Sequence, residues 1–450
     1  MGSSCPAPDP SPGPVLSHLV LTPYRQALAL PGARAFSATA FVARLPIAMI
    51  GLGIVLLVSG RTGSYAQAGA LGAAFQIAAA VGALRSSRWV DQVGQGRLLP
   101  WLAGIHAAGL VAFVAAVGYD APLAVQFAVA AMAGAFQPAI GAMVRARWAN
   151  LTDDPGRVRS AFAWESILDE LIFTVGPLLT AFLAFQAGLS VPLVVAAVVT
   201  VLGSLALATQ HRTQPAPSRR APRQRGEARR TGAIRAPGML VMVTSALGVG
   251  GVFGAYEVTV VAFAQEAGQT GAAGVILGLW AFGSMISGIV FGSRQWRMPL
   301  PRQVMVLTAL LTVVLVPAPF MPTVALLAGT TFVAGMAVAP ALIAVFSLTE
   351  RLVPSEQLTE GLTWTNSGLA LGFSGGTAVA GIVVDAVGTT WAFGLPIASA
   401  ACAFIAAAAG QPVLRRAAAG RPLPGPAIAW GVDPVPGPGA GAVVDDPPAP

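Results

Sequence analysis

Twelve apolar stretches, each long enough to cross a lipid bilayer as a helix, constrain this chain more than any other feature. They lie at about 37–59, 66–86, 98–118, 123–144, 160–186, 190–209, 238–264, 272–293, 303–320, 323–346, 359–386 and 390–409. A spanning helix needs about 20 apolar residues, whereas barrel strands alternate over about ten. Only 10% of the residues are charged, compared with about 25% in soluble domains. The sequence therefore predicts an all-α integral membrane protein with twelve transmembrane helices and excludes a large soluble enzyme.

Segments of different composition flank and divide these stretches. Residues 1–36 and 410–450 are rich in proline, glycine and other small residues, and we expect both to be disordered cytoplasmic tails. Residues 210–237 carry eight arginines. Such a run can bind nucleic acid, but it has no interleaved aromatic residues, so we interpret it as a cytoplasmic linker. Residues 37–209 and 238–409 are then two six-helix bundles.

The arginines predict the orientation of the chain. With the N-terminus in the cytoplasm, 24 of the 26 arginines fall on the cytoplasmic side, apart from Arg61 outside and Arg44 within the first helix. Positively charged residues favour the cytoplasmic side of a membrane. We therefore expect a multi-pass protein of the plasma or inner membrane with both termini in the cytoplasm.

Several chemistries are excluded by residue types that are missing or scattered. The chain has no lysine, and a phosphate-binding loop of an ATP-driven pump requires one. Two cysteines and three dispersed histidines predict neither a disulfide framework nor a metal site. Residues 372–376 fit the G-x-S-x-G pattern, but this motif works at a strand-to-helix turn near a histidine. We expect no enzyme, no cofactor and no resident metal.

The two halves share an internal repeat. Trp164 and Trp364 are 200 residues apart, as are Gly176 and Gly376. The sequence SSRW at the end of the second stretch also has a counterpart, GSRQW, at the end of the eighth. Six helices are an even number, so both copies have the same orientation and are related by an axis along the membrane normal.

With this repeat, the chain resembles the major facilitator superfamily. The family has a charged motif between its second and third helices, and the segment SRWVDQVGQGRLL keeps three of its residues, Asp91, Gly94 and Arg97. Ser87 replaces the leading glycine of the motif and Gln92 an arginine. The resemblance implies two six-helix bundles that rock about a central site and transport a substrate by alternating access.

A second motif resembles that of the drug/proton antiporters in this family. Gly176-Pro177 in the fifth helix matches the Gly-Pro core of their motif, while Ile172 stands where they have a glycine. The resemblance implies proton-coupled efflux of a small organic molecule by a monomer whose partners are substrate, protons and membrane lipid, without nucleic acid. A proton-coupled uptake carrier for a sugar or metabolite and a non-transporting receptor or scaffold remain alternatives.

Ionisable residues inside the apolar stretches are functional candidates because lipid makes an unpaired charge costly. The fifth helix carries Glu165, Asp169 and Glu170, and the seventh carries Glu257. Glu165 and Asp169 are four residues apart and share a helix face, where two carboxylates raise each other's affinity for protons. These four acids are the proton-coupling candidates. The alternative for Glu165 is a fixed ion pair with Arg44 in the first helix.

Two further groups of residues are candidates for binding and gating. Polar and aromatic residues inside the helices are expected to line a central cavity: Gln76, Gln137, Trp164, Trp364 and Asn366. Charged residues at the cytoplasmic ends are expected to form a gate: Asp91, Arg97 and Arg145. We expect Asp91 to lie near residues 359–361, at the start of the eleventh helix, where the helix dipole favours its negative charge.

Overall fold

The computed structural model describes residues 24–152, 154–217, 233–292, 296–353 and 358–419, and most of these are helical. In this part of the chain, twelve helices are long and apolar enough to cross a membrane. They are α1 Ala33–Thr62, α2 Tyr65–Val93, α3 Gln95–Gly118, α4 Leu123–Leu151, α5 Pro155–Ala187, α6 Val191–Ala208, α7 Met239–Glu266, α8 Ala272–Gly292, α9 Leu300–Leu315, α10 Val324–Leu352, α11 Leu358–Val387 and α12 Thr389–Ala409. The predicted fold class is confirmed.

Helix contacts repeat with a shift of six helices. In the first half α1 packs against α5 and α6, α2 against α4, and α3 against α6. In the second half α7 packs against α11 and α12, α8 against α10, and α9 against α12. The two main contacts between the halves, α2 with α11 and α5 with α8, are also related by this shift. The molecule is therefore a parallel repeat of one six-helix unit.

Glycines bring helices within each half into close contact. A Cβ atom added to Gly250 of α7 would lie 2.0 Å from the Leu369 carbonyl oxygen of α11, and one added to Gly372 of α11 would lie 1.9 Å from the Leu247 carbonyl oxygen of α7. Small residues allow such approach in lipid, where packing rather than hydrophobic exclusion drives helix association. Gly176 of α5 makes the corresponding close contact with α1.

The prediction of a disordered tail over residues 1–36 is wrong for its last part. Residues 24–28 are helical, and α1 begins at Ala33, before the predicted start at 37. Ala27 is buried, and the Tyr24 ring lies 6.4 Å from the Trp164 ring of α5. The apolar residues after position 23 therefore pack on the first bundle. Residues 1–23 lie outside the described part of the chain.

The C-terminal tail also begins later than predicted. A further helix, α13 Gln411–Ala419, follows α12 and buries Leu414 and Ala418. The Gln411 side chain donates a hydrogen bond of 2.7 Å to the Pro301 carbonyl oxygen at the start of α9. In the linker, residues 211–213 and 233–235 form short 3-10 turns. The structure does not describe residues 218–232 and 420–450.

We expect Gly372→Ala to destabilise the protein, because its added methyl group would overlap the α7 backbone. Overpacking of this kind costs about 1–3 kcal/mol, and the melting temperature of the purified protein in detergent should fall. Gly375→Ala is the matched control, since the same methyl group three residues further along α11 meets no atom within 4 Å. Equal melting temperatures for the two variants would contradict the close packing of α7 and α11.

Candidate functional site

A cavity of about 1640 Å³ lies between the two halves. Residues of α1, α2, α4 and α5 line one side of it, and residues of α7, α8, α10 and α11 line the other. We call the side of the molecule where α1 begins the linker side, and the opposite side the far side. The cavity extends from Glu257 in the middle of the molecule to Arg297 and Glu350 at the linker-side ends of α9 and α10. It is therefore accessible from the linker side.

Direct contacts between the halves close the far side. The Asp385 carboxylate at the end of α11 accepts hydrogen bonds from the Tyr65 and Ala66 backbone amides, at 2.9 and 2.8 Å, and from the Ser64 hydroxyl at 2.8 Å. These three residues form the N-terminus of α2, where free amides and the helix dipole bind an anion. The Gln265 side chain adds a contact from α7 to the Tyr65 hydroxyl. Sequence reasoning missed this closure, although Ser64 is a recognisable N-cap residue.

Two acidic side chains line the inner part of the cavity, away from Glu350 at its mouth. Glu170 is on the face of α5 that also presents Ser166, Phe173 and Pro177, at the spacing of one helix side. Glu257 extends from α7, one turn from Phe253. Among the residues that the structure describes, no cationic side chain pairs with either carboxylate. An acid with such surroundings must be hydrated, protonated or bound to a ligand.

Glu257 also lies at the boundary between the halves. A Cβ atom added to Gly51 of α1 would lie 2.9 Å from Oε1 of Glu257. The absence of a side chain at Gly51 therefore leaves room for the carboxylate against the opposite bundle. The structure places this acid in the wall of the central cavity.

The other two acids of α5 belong to a charge cluster beside the cavity. Arg44 of α1 forms ion pairs with Glu165 and, at 2.8 Å, with Asp169. Arg145 of α4 binds the second oxygen of Asp169, also at 2.8 Å. Two arginines and two carboxylates thus compensate each other's charge. Arg44 and Glu165 are almost completely buried, so this compensation is required for either to be ionised.

Neutral hydrogen bonds complete the surroundings of Glu165. Its Oε1 accepts bonds from the Ser37 hydroxyl at 2.9 Å and from the Trp148 indole N–H at 2.8 Å. Arg44 lies between Glu165 and Asp169, so the structure shows the ion pair with Arg44 that was the alternative for Glu165. The sequence did not predict that Asp169 has two arginine partners.

Three of the five predicted cavity residues line the cavity, and two do not. Gln76, Gln137 and Asn366 are part of its wall. Trp164 instead packs within the first bundle and donates a hydrogen bond of 3.1 Å to the Ser37 hydroxyl. Trp364 is 42% exposed and lies outside the cavity. It is only two residues from Asn366, and residues two apart do not share a helix face.

A proline explains the position of Gln137. Helix α4 is interrupted between Ala135 and Ile140, where Pro138 lacks the amide that would continue the helix. The break exposes backbone at membrane depth, which proteins tolerate only where it is buried or lines a wet cavity. The break therefore presents the Gln137 amide to the cavity.

The predicted gate is only partly described. Arg145 pairs with Asp169 of α5. Arg97 is exposed at the linker-side start of α3. The side chains of Asp91, Thr359 and Glu360 lie outside the described part, so the contact expected between Asp91 and the start of α11 stays a prediction.

A buried arginine joins three helices at the linker side. Arg147 is completely buried and donates hydrogen bonds to the Leu207 and Gln210 carbonyl oxygens, at 3.0 and 3.1 Å, and to the Gln95 side chain at 2.7 Å. These two carbonyl groups lie at the C-terminal end of α6, where the helix dipole favours a cation. Arg147 thus joins α3, α4 and α6. Its sequence signal is a basic residue two positions from Arg145, on a different helix face.

Comparisons with known proteins agree with this geometry. The model of the Major Facilitator Superfamily matches residues 36–300, while no curated protein matches the chain. The solved nucleoside transporter NupG is 15% identical, with a TM-score of 0.64 over 85% of this chain and 99% of that chain. A bacterial homologue of the iron transporter ferroportin in its inward-facing state is 15% identical, with a TM-score of 0.57 over 88% and 99%. At these identities the solved structures show a shared fold.

We expect Arg44→Gln to destabilise the protein strongly, because it leaves two carboxylates of α5 short of positive charge. Removing one partner of a buried ion pair costs about 3–5 kcal/mol. The melting temperature in detergent should fall well below that of Arg34→Gln, a control at an exposed arginine of the same helix. Adding Glu165→Gln should recover part of the loss. If Arg44→Gln alone were as stable as Arg34→Gln, the proposed role of the charge cluster in stability would be contradicted.

We expect Asp385→Asn to favour opening of the far side. The change removes the charge that binds the N-terminus of α2, and hydrogen bonds to charged groups contribute about 1.5–3 kcal/mol. Spin labels are attached to Arg61→Cys and Val387→Cys in a cysteine-free background, and the distance between them is measured by pulsed electron paramagnetic resonance. In the Asp385→Asn protein, the population with a long distance between the labels should be larger. Asp120→Asn, an exposed acid on the same side, is the control. Identical distance distributions for the two variants would contradict the role of Asp385.

Proposed function

Because the chain belongs to the Major Facilitator Superfamily, and is therefore a membrane transporter rather than an enzyme, we propose that it moves a small organic molecule by proton-coupled alternating access. The proposed direction is export across the plasma or inner membrane, by a monomer with both termini in the cytoplasm. The partners are then the substrate, protons and membrane lipid.

The observation that carries this proposal is the central cavity with two different ends. Its wall is built from equivalent helices of the two halves, and it reaches the linker side while hydrogen bonds close the far side. Alternating access requires such an asymmetric state and a second state in which the halves have rocked the other way. The contacts α2–α11 and α5–α8 are the surfaces along which that movement would occur.

Glu170 and Glu257 are the proposed proton-coupling residues. Both lie in the cavity without a cationic partner in the described structure, so each can gain or lose a proton as its access to water changes. Glu165 and Asp169 are less suitable, because they are held in ion pairs with Arg44 and Arg145. Of the four candidates, we therefore keep one acid in each half.

The composition of the wall supports export. Most lining residues are aliphatic, aromatic or glycine, and apolar pockets with few polar groups favour apolar or amphipathic compounds. The Gly176-Pro177 pair adds support, since Pro177 is part of the wall. If the arginines set the orientation, the accessible side is cytoplasmic, where an exporter loads its substrate.

Uptake of a polar metabolite is the second candidate function. The amides of Gln76, Gln137 and Asn366 could bind the hydroxyl and carbonyl groups of such a compound. The fold resemblance to a nucleoside transporter is compatible with this alternative. The direction of flux in oriented vesicles distinguishes the two. A receptor or scaffold would bind a ligand and show no flux.

The coupling proposal predicts that Glu170→Gln or Glu257→Gln separates transport from the proton gradient. A substrate is first found by screening small organic compounds for an increase in melting temperature. In proteoliposomes, at least one variant should lose gradient-driven accumulation by tenfold or more, because an amide cannot carry the proton. Exchange of labelled for unlabelled substrate, which needs no gradient, should continue when the substrate is at saturating concentration.

Asp120→Asn is the control, since this acid is exposed on a far-side turn. It should accumulate substrate like the unchanged protein. Full gradient-driven accumulation by both glutamine variants would remove Glu170 and Glu257 from the coupling role. A protein that binds the substrate but neither exchanges nor accumulates it would contradict the transport function itself.

A further inference from the structure

We propose that the substrate is an organic cation with aromatic or aliphatic groups, held by Glu257 and Glu170 between rings from both halves. This inference rests on the proposed transport function and specifies its substrate class. It follows from the charges, the rings and the size of the cavity.

The charges of the cavity are unevenly distributed along its length. At the linker-side mouth, Glu350 is accompanied by Arg297 and Arg351. Deeper in, Glu170 and Glu257 are the charged residues of the wall. The nearby cations Arg44 and Arg145 already bind Glu165 and Asp169. The inner end is therefore negative whenever its acids are ionised, and a cationic ligand would supply the missing charge.

Each of these acids has an aromatic residue one turn away on its own helix. Glu257 and Phe253 are four residues apart on α7, and Glu170 and Phe173 are three apart on α5. Residues at these spacings are neighbours on a helix surface. A cation that contacts either carboxylate would thus also be close to a ring face, which attracts positive charge.

A third aromatic group fixes the wall on the side of α7 and α8. The Trp280 ring lies 4.6 Å from the Tyr256 ring and 6.2 Å from the Phe253 ring. The Tyr256 hydroxyl forms a hydrogen bond of 2.6 Å with the Thr331 hydroxyl of α10, so its ring is held in place. All three rings border the cavity. Such a wall suits an organic cation, since a small inorganic cation prefers oxygen ligands and water.

The size of the cavity also matches this class. At about 1640 Å³, it exceeds the roughly 300–1000 Å³ of ordinary small-molecule pockets. It can therefore enclose a bulky cation whose charge is shielded by hydrocarbon groups. Because such a cation sheds little hydration on entering, two carboxylates and a few rings are sufficient to retain it.

The test compares two probes of the same shape and opposite charge, tetraphenylphosphonium and tetraphenylborate. Binding of each to the purified full chain is measured separately by calorimetry, in a neutral detergent above neutral pH and without a gradient. The phosphonium should bind more tightly than the borate. Glu257→Gln should weaken phosphonium binding at least tenfold, Glu170→Gln should weaken it by a smaller factor, and neither should weaken borate binding.

Two further variants separate a direct contact from a structural effect. Phe253→Leu should weaken phosphonium binding several-fold, and Phe253→Tyr, which keeps the ring, should not. Asp120→Asn should bind like the unchanged protein, and the melting temperature of each variant confirms that it is folded.

The inference would be overturned if the borate bound as tightly as the phosphonium, if neither bound, or if both glutamine variants kept full affinity for the phosphonium. These outcomes are independent of transport. If the protein carried out proton-driven flux of an uncharged compound and did not bind the phosphonium, the proposal of a cationic substrate would be refuted and the proposed transport function would stand. If the protein bound the phosphonium but showed no flux of any compound, the proposed transport function would be refuted and the cation-binding site would stand.

Discussion

An ionised side chain inside a membrane protein needs an opposite charge or access to water, because hydrocarbon provides neither. This constraint divides the acids of the bundle into two kinds. Glu165 and Asp169 share Arg44 and are fixed within the first bundle. Glu170 and Glu257 have no such partner in the described structure and lie in the cavity between the bundles. Their charge can therefore change with protonation or ligand binding, and the proposed transport chemistry depends on that freedom.

The same molecule must also combine rigid halves with a movable boundary. Within each half, glycines place helix backbones in direct contact, as at Gly250 and Gly372, and tight packing resists deformation. Between the halves, glycines also place α2 against α11 and α8 against α5, as at Gly69 and Gly274. The far side is additionally joined by a small number of polar contacts around Asp385. Such contacts can break and be replaced by water when the halves move. Each half can then move as one body.

The sequence predicts the fold better than the site. Helix number, the repeat and the packing glycines follow from long apolar stretches and residue spacing, which are local properties. Whether a residue faces the cavity depends on helix rotation, and a uniformly apolar helix does not reveal its rotation. Trp164 and Trp364 were therefore misplaced, whereas Gln137 lies in the wall because Pro138 breaks α4. The partners of Asp169 could not be predicted, since they come from two other helices.

The far-side closure has a consequence for the environments in which this protein can work. In the part of the chain that the structure describes, Asp385 is held by neutral backbone amides and a hydroxyl, not by a basic side chain. Attraction between exposed full charges weakens as ions accumulate around them, whereas short hydrogen bonds to amides are much less sensitive. The balance between its open and closed forms should therefore depend on salt less steeply than it would if an exposed ion pair closed the far side.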